Sequence, residues 1–529
     1  MHIFHRREFI LAGMASSLAA SVSQQARADA PTRDRTLVIA IGSDPAGIEP
    51  ATNRAEPVGS EIILNLFDTL VTCPSDDSVN VEPRLAQSWN VSPDGLCYSF
   101  VLRKDVAFHD HTDVDAEAVR FSIERTRRLN SYAQASFAKI AYIRVTGKWT
   151  IDFFLSSPVP FFLSLLGQPQ AAIVSPQAVA KKGADFSILP VGSGAFQIKQ
   201  YTPEIGLTLS CNPDYFRGRP ALDTLVYRVI ANASTRHMEL ERGEVDLCQQ
   251  NAQISTLPMA DIQAFRQNPD IAITEKSSQI LRQLEFNNRK TQGIISDIRI
   301  RKAIVHAIDY EGLINSLLAH TVERAYGPLP TSNWAFDPEL QAISPHYDPD
   351  RALALLAEAD WSTRRERLSI ITFEGSFWAT VATFLQANLH AVGIDVTIEQ
   401  MEFPSLRARH VAGLFDLALD GREPWYSDPD AHITLGYSSS LADTAMTFRM
   451  PPNRELDALI ARAQTETQLP TRKILYQEIQ TRLLTACPAA YLFTNRIIIF
   501  HRRTVKGLVV RSTPPLAEYW GVSKEQSLR

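Results

Sequence analysis

The chain has little cysteine and none of it is clustered. Cys73, Cys97, Cys211, Cys248 and Cys487 are scattered over 529 residues, with no C-x-x-C and no histidine at zinc-ligand spacing. That excludes a zinc ribbon or a thioredoxin-like centre. The odd count leaves at least one thiol outside any bridge, and the pairing of the others cannot be read from spacing. A basic excess is also missing: 53 Lys and Arg stand against 58 Asp and Glu, a net charge of −5. Nucleic acid is therefore not an expected partner, and no basic run suggests a membrane surface. Nor does any apolar run reach the ~20 residues that span a bilayer. Catalytic phrases are absent too. There is no H-E-x-x-H, no G-x-S-x-G and no Cys/His pair at a defensible spacing, so an enzyme is not expected and no cofactor is implied. The one glycine-rich phrase, Pro190-Val191-Gly192-Ser193-Gly194-Ala195-Phe196, lacks both the lysine of a phosphate loop and the outer glycines of a nucleophile elbow.

What is present begins with an export signal. Residues 1–28 carry a charged start, a modest apolar stretch from Phe9 and the small-x-small site Ala26-Arg27-Ala28. Cutting after Ala28 keeps Pro31 away from the scissile bond. Arg6-Arg7 followed by Phe9, Ile10 and Leu11 resembles the twin-arginine pattern, whose cargo crosses the membrane folded. No cysteine stands at the site, so a lipid anchor is not expected. Cleavage removes three arginines and one glutamate and moves the net charge from −5 to −7. About 500 residues remain, enough for two or three domains, with 45% hydrophobic and 21% charged residues, as in an ordinary soluble globular protein of the periplasm.

Periodicity organises the chain around residues 281–310. Leu281, Gln283 and Glu285 alternate with Arg282, Leu284 and Phe286 as in a strand, and Asn287-Asn288 end it. From Asp297 the period becomes helical, with Ile298, Lys302, Val305 and Ile308 on one side and Ile300, Ile304 and Ala307 beside it. Earlier, Tyr98, Phe100 and Leu102 alternate after the turn Ser92-Pro93-Asp94-Gly95, and Asp115 can cap the helix carrying Val119 and Ile123. His109 and His111 form an H-x-H that on a strand would face one way and could hold a metal. After the central stretch, the strand LSIITF and a helix with Val381, Phe384, Leu385, Leu389 and Val392 inside, stopped at Gly393, give strand–helix–strand order and an α/β class.

These phrases carry a resemblance. LEFNN with D-x-R-x-R-x-A-I-x-x-A-I-D, the run Pro83, Leu85, Ala86, Ser88, Trp89 with Phe108-His109-Asp110, the PVGSGAF turn and Gly243-Glu244-Val245-Asp246 are similar to those of the family 5 extracytoplasmic solute-binding proteins. These are the peptide, nickel and opine receptors of ABC importers. The resemblance spans nearly the whole mature chain. It implies a two-lobed periplasmic-binding-protein fold of type II, in the large form with an extra domain. Residues 29–58, 188–284 and 496–529 would form lobe I, 59–187 the extra domain and 285–495 lobe II, with crossings near 281–288 and 493–500. It also implies a monomer that hands a small solute to an inner-membrane ABC permease. A chemoreceptor adaptor on the same fold, or a secreted cleft enzyme, is the alternative.

The ligand phrase is where this chain departs from the family. Leu414 to Asp430 corresponds to a pattern with Trp after Gly421 and an Asp, the partner of a peptide ammonium, four residues beyond Gly421; here those positions are Arg422 and Trp425. Glu423 is the carboxylate that could substitute, although it starts two residues before that Asp position. The stretch Glu374 to Trp378 lacks the arginine that dipeptide receptors use for the substrate carboxylate. Both charged ends of a dipeptide would go unpaired, at a cost on the order of several kcal/mol. Phe377, Trp378, Trp425 and Tyr426 suggest aromatic walls for a flat, sugar-like or apolar ligand, with Arg422 available for a carboxylate or phosphate. Asn53 and Arg54, just after the loop Ile48-Glu49-Pro50-Ala51, are further candidates by resemblance.

Overall fold

The computed structural model describes residues 33–525 apart from 46, 55, 75–78, 131–132, 135–136, 251–258, 291–292, 365, 425, 442–449 and 514–516. The export signal, with Arg6 and Arg7, and Trp425 lie outside the described residues.

One mixed sheet of eleven strands runs through the molecule. Its strands are β1 (Thr36–Ile41), β2 (Phe196–Thr202), β3 (Gly206–Cys211), β4 (Thr224–Val229), β5 (Leu247–Gln250), β6 (Ile271–Phe286), β7 (Val322–Arg324), β8 (Leu368–Phe373), β9 (Val396–Met401), β10 (Leu417–Arg422) and β11 (Ala489–Arg502). Their order is β9-β8-β10-β6-β11-β5-β1-β4-β3-β2, with β7 paired to β11 off that path. The two long strands, β6 and β11, run antiparallel and belong to both halves. Ile271 to Ser277 pair with Arg502 to Arg496, and Leu281 to Glu285 pair with Thr494 to Ala489. On one side β5 continues the sheet from β11 toward β1 and β4; on the other, β10 and β8 continue it from β6.

Between the two halves the ladder slips. β6 advances by four positions, from Ser277 to Leu281, where β11 advances by two, from Arg496 to Thr494. The excess chain is tied down by polar bonds: Ser278 Oγ donates to the Asn495 carbonyl at 2.5 Å, and the Gln279 amide N–H donates to the Ser512 carbonyl at 2.9 Å. A bulge of this kind concentrates twist at one point of a sheet. It lies a few residues before the 281–288 stretch read from sequence, because the strand begins ten residues earlier than the alternation at 281 suggested.

Each half has its own core. One gathers Leu284 and Phe286 with the helices Ile298–Ala307, Pro349–Glu358 and Ser376–Ala391. Asp297 caps the first of these by accepting from the Arg299 amide at 2.9 Å. Its buried face is Ile300, Ala303, Ile304, Val305 and Ala307, with Ile308 buried just beyond its end, whereas Ile298, at the first position of the stripe, is 38% exposed. The other half packs β1 to β4 against the helix Pro57–Leu66.

A separate four-stranded antiparallel sheet, Ala86–Val91, Cys97–Leu102, Thr150–Leu155 and Ile140–Gly147, holds a third core with Tyr98, Phe100 and Leu102 inside. The Ser92–Gly95 hairpin and the Asp115 cap, which accepts from Ala118 at 2.9 Å, form as the pattern predicts. The PVGSGAF turn packs on the end of the helix Pro57–Leu66: a Cβ on Gly192 would sit 2.1 Å from the Leu66 carbonyl oxygen and one on Gly194 2.6 Å from that of Asn65, so only glycine permits the approach. His109 and His111 lie in a turn rather than on a strand. His109 Nε2 pairs with the Gly194 carbonyl at 2.9 Å, and His111 takes φ +64° and donates its amide to Phe108. The shared facing that a metal pair needs is therefore not formed.

Candidate ligand site

The end of β10 and the chain after it stand over β6, and alternation sorts their side chains onto two faces. On one face Arg282 is opposite Gly421. A Cβ at position 421 would fall 2.8 Å from Arg282 Cδ, so the glycine makes room for the arginine. Arg282 is 1% exposed. Its Nε donates to Asn495 Oδ1 at 3.0 Å and its Nη2 donates to Glu423, and the guanidinium stands 5.1 Å from the centre of the Trp378 ring. One side chain thus links both long strands to the loop after β10.

Trp378 and Phe377 belong to the first turn of the helix Ser376–Ala391 rather than to a preceding loop. Trp378 is 4% exposed, with Phe373 and Phe377 against it at 5.1 and 5.4 Å. Phe377 is half-buried and also meets Phe493 edge-on at 6.3 Å. The indole expected to wall a ligand is covered instead by a guanidinium, which is an aromatic surface's favoured polar neighbour.

The other face carries Leu281, Gln283 and Glu285 of β6 opposite Arg422, Asp420 and Ala418 of β10. Both Glu285 carboxylate oxygens lie 3.0 Å from His410 Nε2, and burial holds that carboxyl above its ordinary range. Asp420 is also buried, but Arg407, bonded to it at 2.6 and 3.2 Å, outweighs desolvation and keeps it below the usual range. Arg422, expected to stand open for an acidic group, is 9% exposed and donates to the Leu435 carbonyl at 2.7 Å. The cause is that β10 extends through Arg422, so the side chain is laid under the helix Asp430–Tyr437 instead of projecting from a loop. Burial pulls the guanidinium down to about 10.

A third group joins the site to the four-stranded body. Tyr426 is 3% exposed and lies flat against Phe161, with ring centres 5.4 Å apart and planes within 6°. Its hydroxyl donates to Asp430 at 3.0 Å. Arg472 holds Asp428 in a two-pronged pair at 2.6 and 2.7 Å and stands 5.3 Å from Phe161. Asn53 is buried and fixed, donating to the Gly47 carbonyl and accepting from Ser60 and Gln170, whereas Arg54 is exposed. The structure thus gathers Arg422, Glu423, Tyr426, Trp378 and Phe377 around the end of β10, with Asn53 tied into its own loop. Sequence reasoning missed Arg282, Phe161 and Arg472. The first had a signal, since a charged residue between two apolar positions of an inner strand needs a buried partner.

The sequence profile of the bacterial extracellular solute-binding proteins, family 5, matches residues 80–443. The chain belongs to that family. Family 5 members serve ABC importers as solute receptors, and this chain has their two-lobed α/β periplasmic-binding-protein fold with the additional domain. It is 27% identical over 485 residues to the probable D,D-dipeptide-binding periplasmic protein DdpA of Escherichia coli, covering 89% of this chain and 91% of the relative. It superposes on the periplasmic binding protein DppA of Helicobacter pylori in complex with the peptide STSA, with TM-score 0.79 and 26% identity, covering 93% of this chain and 98% of the other. NikA of Brucella suis in complex with Fe(III)-EDTA has the same fold, with TM-score 0.82, 24% identity and coverages of 93% and 100%. Among the described residues no cluster of His, Cys, Asp or Glu is arranged to hold a metal ion, and no helix is long and apolar enough to cross a membrane.

Proposed function

We propose that this chain is a periplasmic receptor that captures a small solute between its lobes and delivers it to an ABC permease, and that its ligand is an oligopeptide-like, opine-like or sugar-conjugated solute rather than a simple dipeptide. The lobes are taken as residues 29–58, 188–284 and 496–529 for the first and 285–495 for the second, with 59–187 as the added domain. They close by twisting at the slip between β6 and β11. Membership of the family supports the receptor role. The ligands bound in those neighbouring structures, a tetrapeptide and a metal chelate, differ enough that the fold alone does not fix the solute.

The observation that carries the ligand reading is the fate of the carboxylates beyond Gly421. Glu423 is paired to Arg282, Asp428 is held by Arg472, and Asp430 accepts from Tyr426 and Thr434. A ligand ammonium entering here would have to displace an internal cation from a buried carboxylate, and position 425, where the family's ammonium partner stands, is an indole. Calorimetry with alanyl-phenylalanine and with a tetrapeptide tests the reading: tight binding of the dipeptide overturns it. Trp425→Ala is expected to weaken binding of the true ligand by about 1–3 kcal/mol.

A further inference from the structure

Gln283 is fully buried on the inner strand β6, yet neither the nitrogen nor the oxygen of its amide has a hydrogen-bond partner. Its cross-strand neighbours are Asp420, which is engaged by Arg407, and Tyr491, which accepts from the Tyr437 hydroxyl at 3.2 Å. Above this face runs the helix Asp430–Tyr437. It sets His432, 1% exposed and with the Gln279 backbone as a weak polar partner for its ring, beside the charge of Arg422. Burying an amide without partners forfeits the hydrogen bonds it makes to water in the unfolded chain. Native interiors tolerate such a cost where something absent from the protein completes the bonds.

We infer that this face of β6 and the helix Asp430–Tyr437 form the deep end of the ligand site, and that Gln283 and His432 there recognise the hydroxyl-bearing arm of a sugar-like acid. The inference rests on the receptor reading above and narrows it. Three properties of the groups select that chemistry. The Gln283 amide offers two donors and one acceptor, and a neutral imidazole offers one of each, a set that matches hydroxyls, which give and take hydrogen bonds at once. Burial and the neighbouring guanidinium hold His432 down to about 3, so it is neutral when the receptor works. Arg422, buried beneath that helix, adds a positive potential that disfavours an ammonium and favours a carboxylate nearby, whereas the carboxylates Glu285 and Asp420 are already matched by His410 and Arg407.

The test is a thermal-shift and calorimetry panel on the mature protein with three probes: gluconate as a sugar-like acid, sorbitol as its bare polyhydroxy arm, and alanyl-phenylalanine. Wild type, Gln283→Leu and His432→Phe are compared, with Gln283→Met as a second variant should leucine not fold. The expected result is that gluconate binds wild type and loses at least tenfold in affinity in both variants, while unliganded Gln283→Leu melts no lower than wild type. If the dipeptide binds and the hydroxylated probes do not, or if the hydroxylated probe binds Gln283→Leu as well as wild type, this inference falls and the receptor reading stands. If no probe of any class binds wild type and no solute co-purifies with it, both fall.

Discussion

The rings of Phe161 and Tyr426 lie 5.4 Å apart and nearly parallel, one from the four-stranded body and the other from the chain that follows β10. They are 7% and 3% exposed, so the contact shuts water out between two bodies that are far apart in sequence. An aromatic pair of this kind contributes about 0.5–1.5 kcal/mol beyond its buried area. Phe161→Ala is expected to shift the unliganded protein toward an open form and to weaken ligand binding about 3- to 10-fold. Small-angle scattering should then give a larger radius of gyration for the variant without ligand; an unchanged radius would show that the contact does not hold the bodies together.

The pair of Arg282 and Glu423 makes a second expectation. Removing only the negative charge, as Glu423→Gln, leaves the buried Arg282 guanidinium without this counter-ion and should cost about 3 kcal/mol in urea unfolding. Removing both, as Arg282→Met with Glu423→Gln, should recover most of that loss, because the methionine replaces the guanidinium against Trp378 with apolar volume. A double-mutant cycle with no coupling would show the two groups to be energetically independent.

Acid sensitivity follows from His432. Its folded-state value lies near 3, below the ordinary 6.5, so the unfolded chain binds the extra proton between those limits. Stability is therefore lost as pH falls through that window, by up to about 1.4 kcal/mol per pH unit, and is complete above it. In His432→Gln the fall between pH 6 and pH 4 should be shallower than in wild type. Identical slopes in denaturant titrations at these two values would remove His432 as the cause.

Export is the fourth expectation. Changing Arg6 and Arg7 together to lysine should leave the protein in the cytoplasm while the mature domain keeps its melting temperature. Normal appearance of the variant in a periplasmic extract would mean that the general secretory route carries it.

How much of this was legible in the sequence depends on the range over which each interaction is decided. The Ser92–Gly95 hairpin, the caps at Asp115 and Asp297, and the inner face Val381, Leu385 and Leu389 are set within a few residues, and they stand where the pattern put them. The family phrases marked the whole fold because glycines such as Gly192 and Gly194 are demanded by backbone approach. The side chains of the site were harder to read. That Arg422 would lie under a helix depended on where β10 stopped, and that Trp378 would be covered depended on an arginine nearly a hundred residues away. Phe161 and Arg472 meet Tyr426 and Asp428 only after the bodies assemble, and no local periodicity reports such a meeting.

The slip between β6 and β11 has a consequence for how the molecule can be taken apart. Residues 278–286 and 489–495 are buried and carry the crossing between the halves as paired strands, so a protease meets no exposed tether there to cut. Each long strand also supplies the edge on which the other half's strands are laid down, β5 on β11 and β10 on β6. Neither half can therefore be produced as a separately folding fragment simply by cutting the gene between them, and a split version would reassemble only if the break were placed in a surface turn far from the crossing.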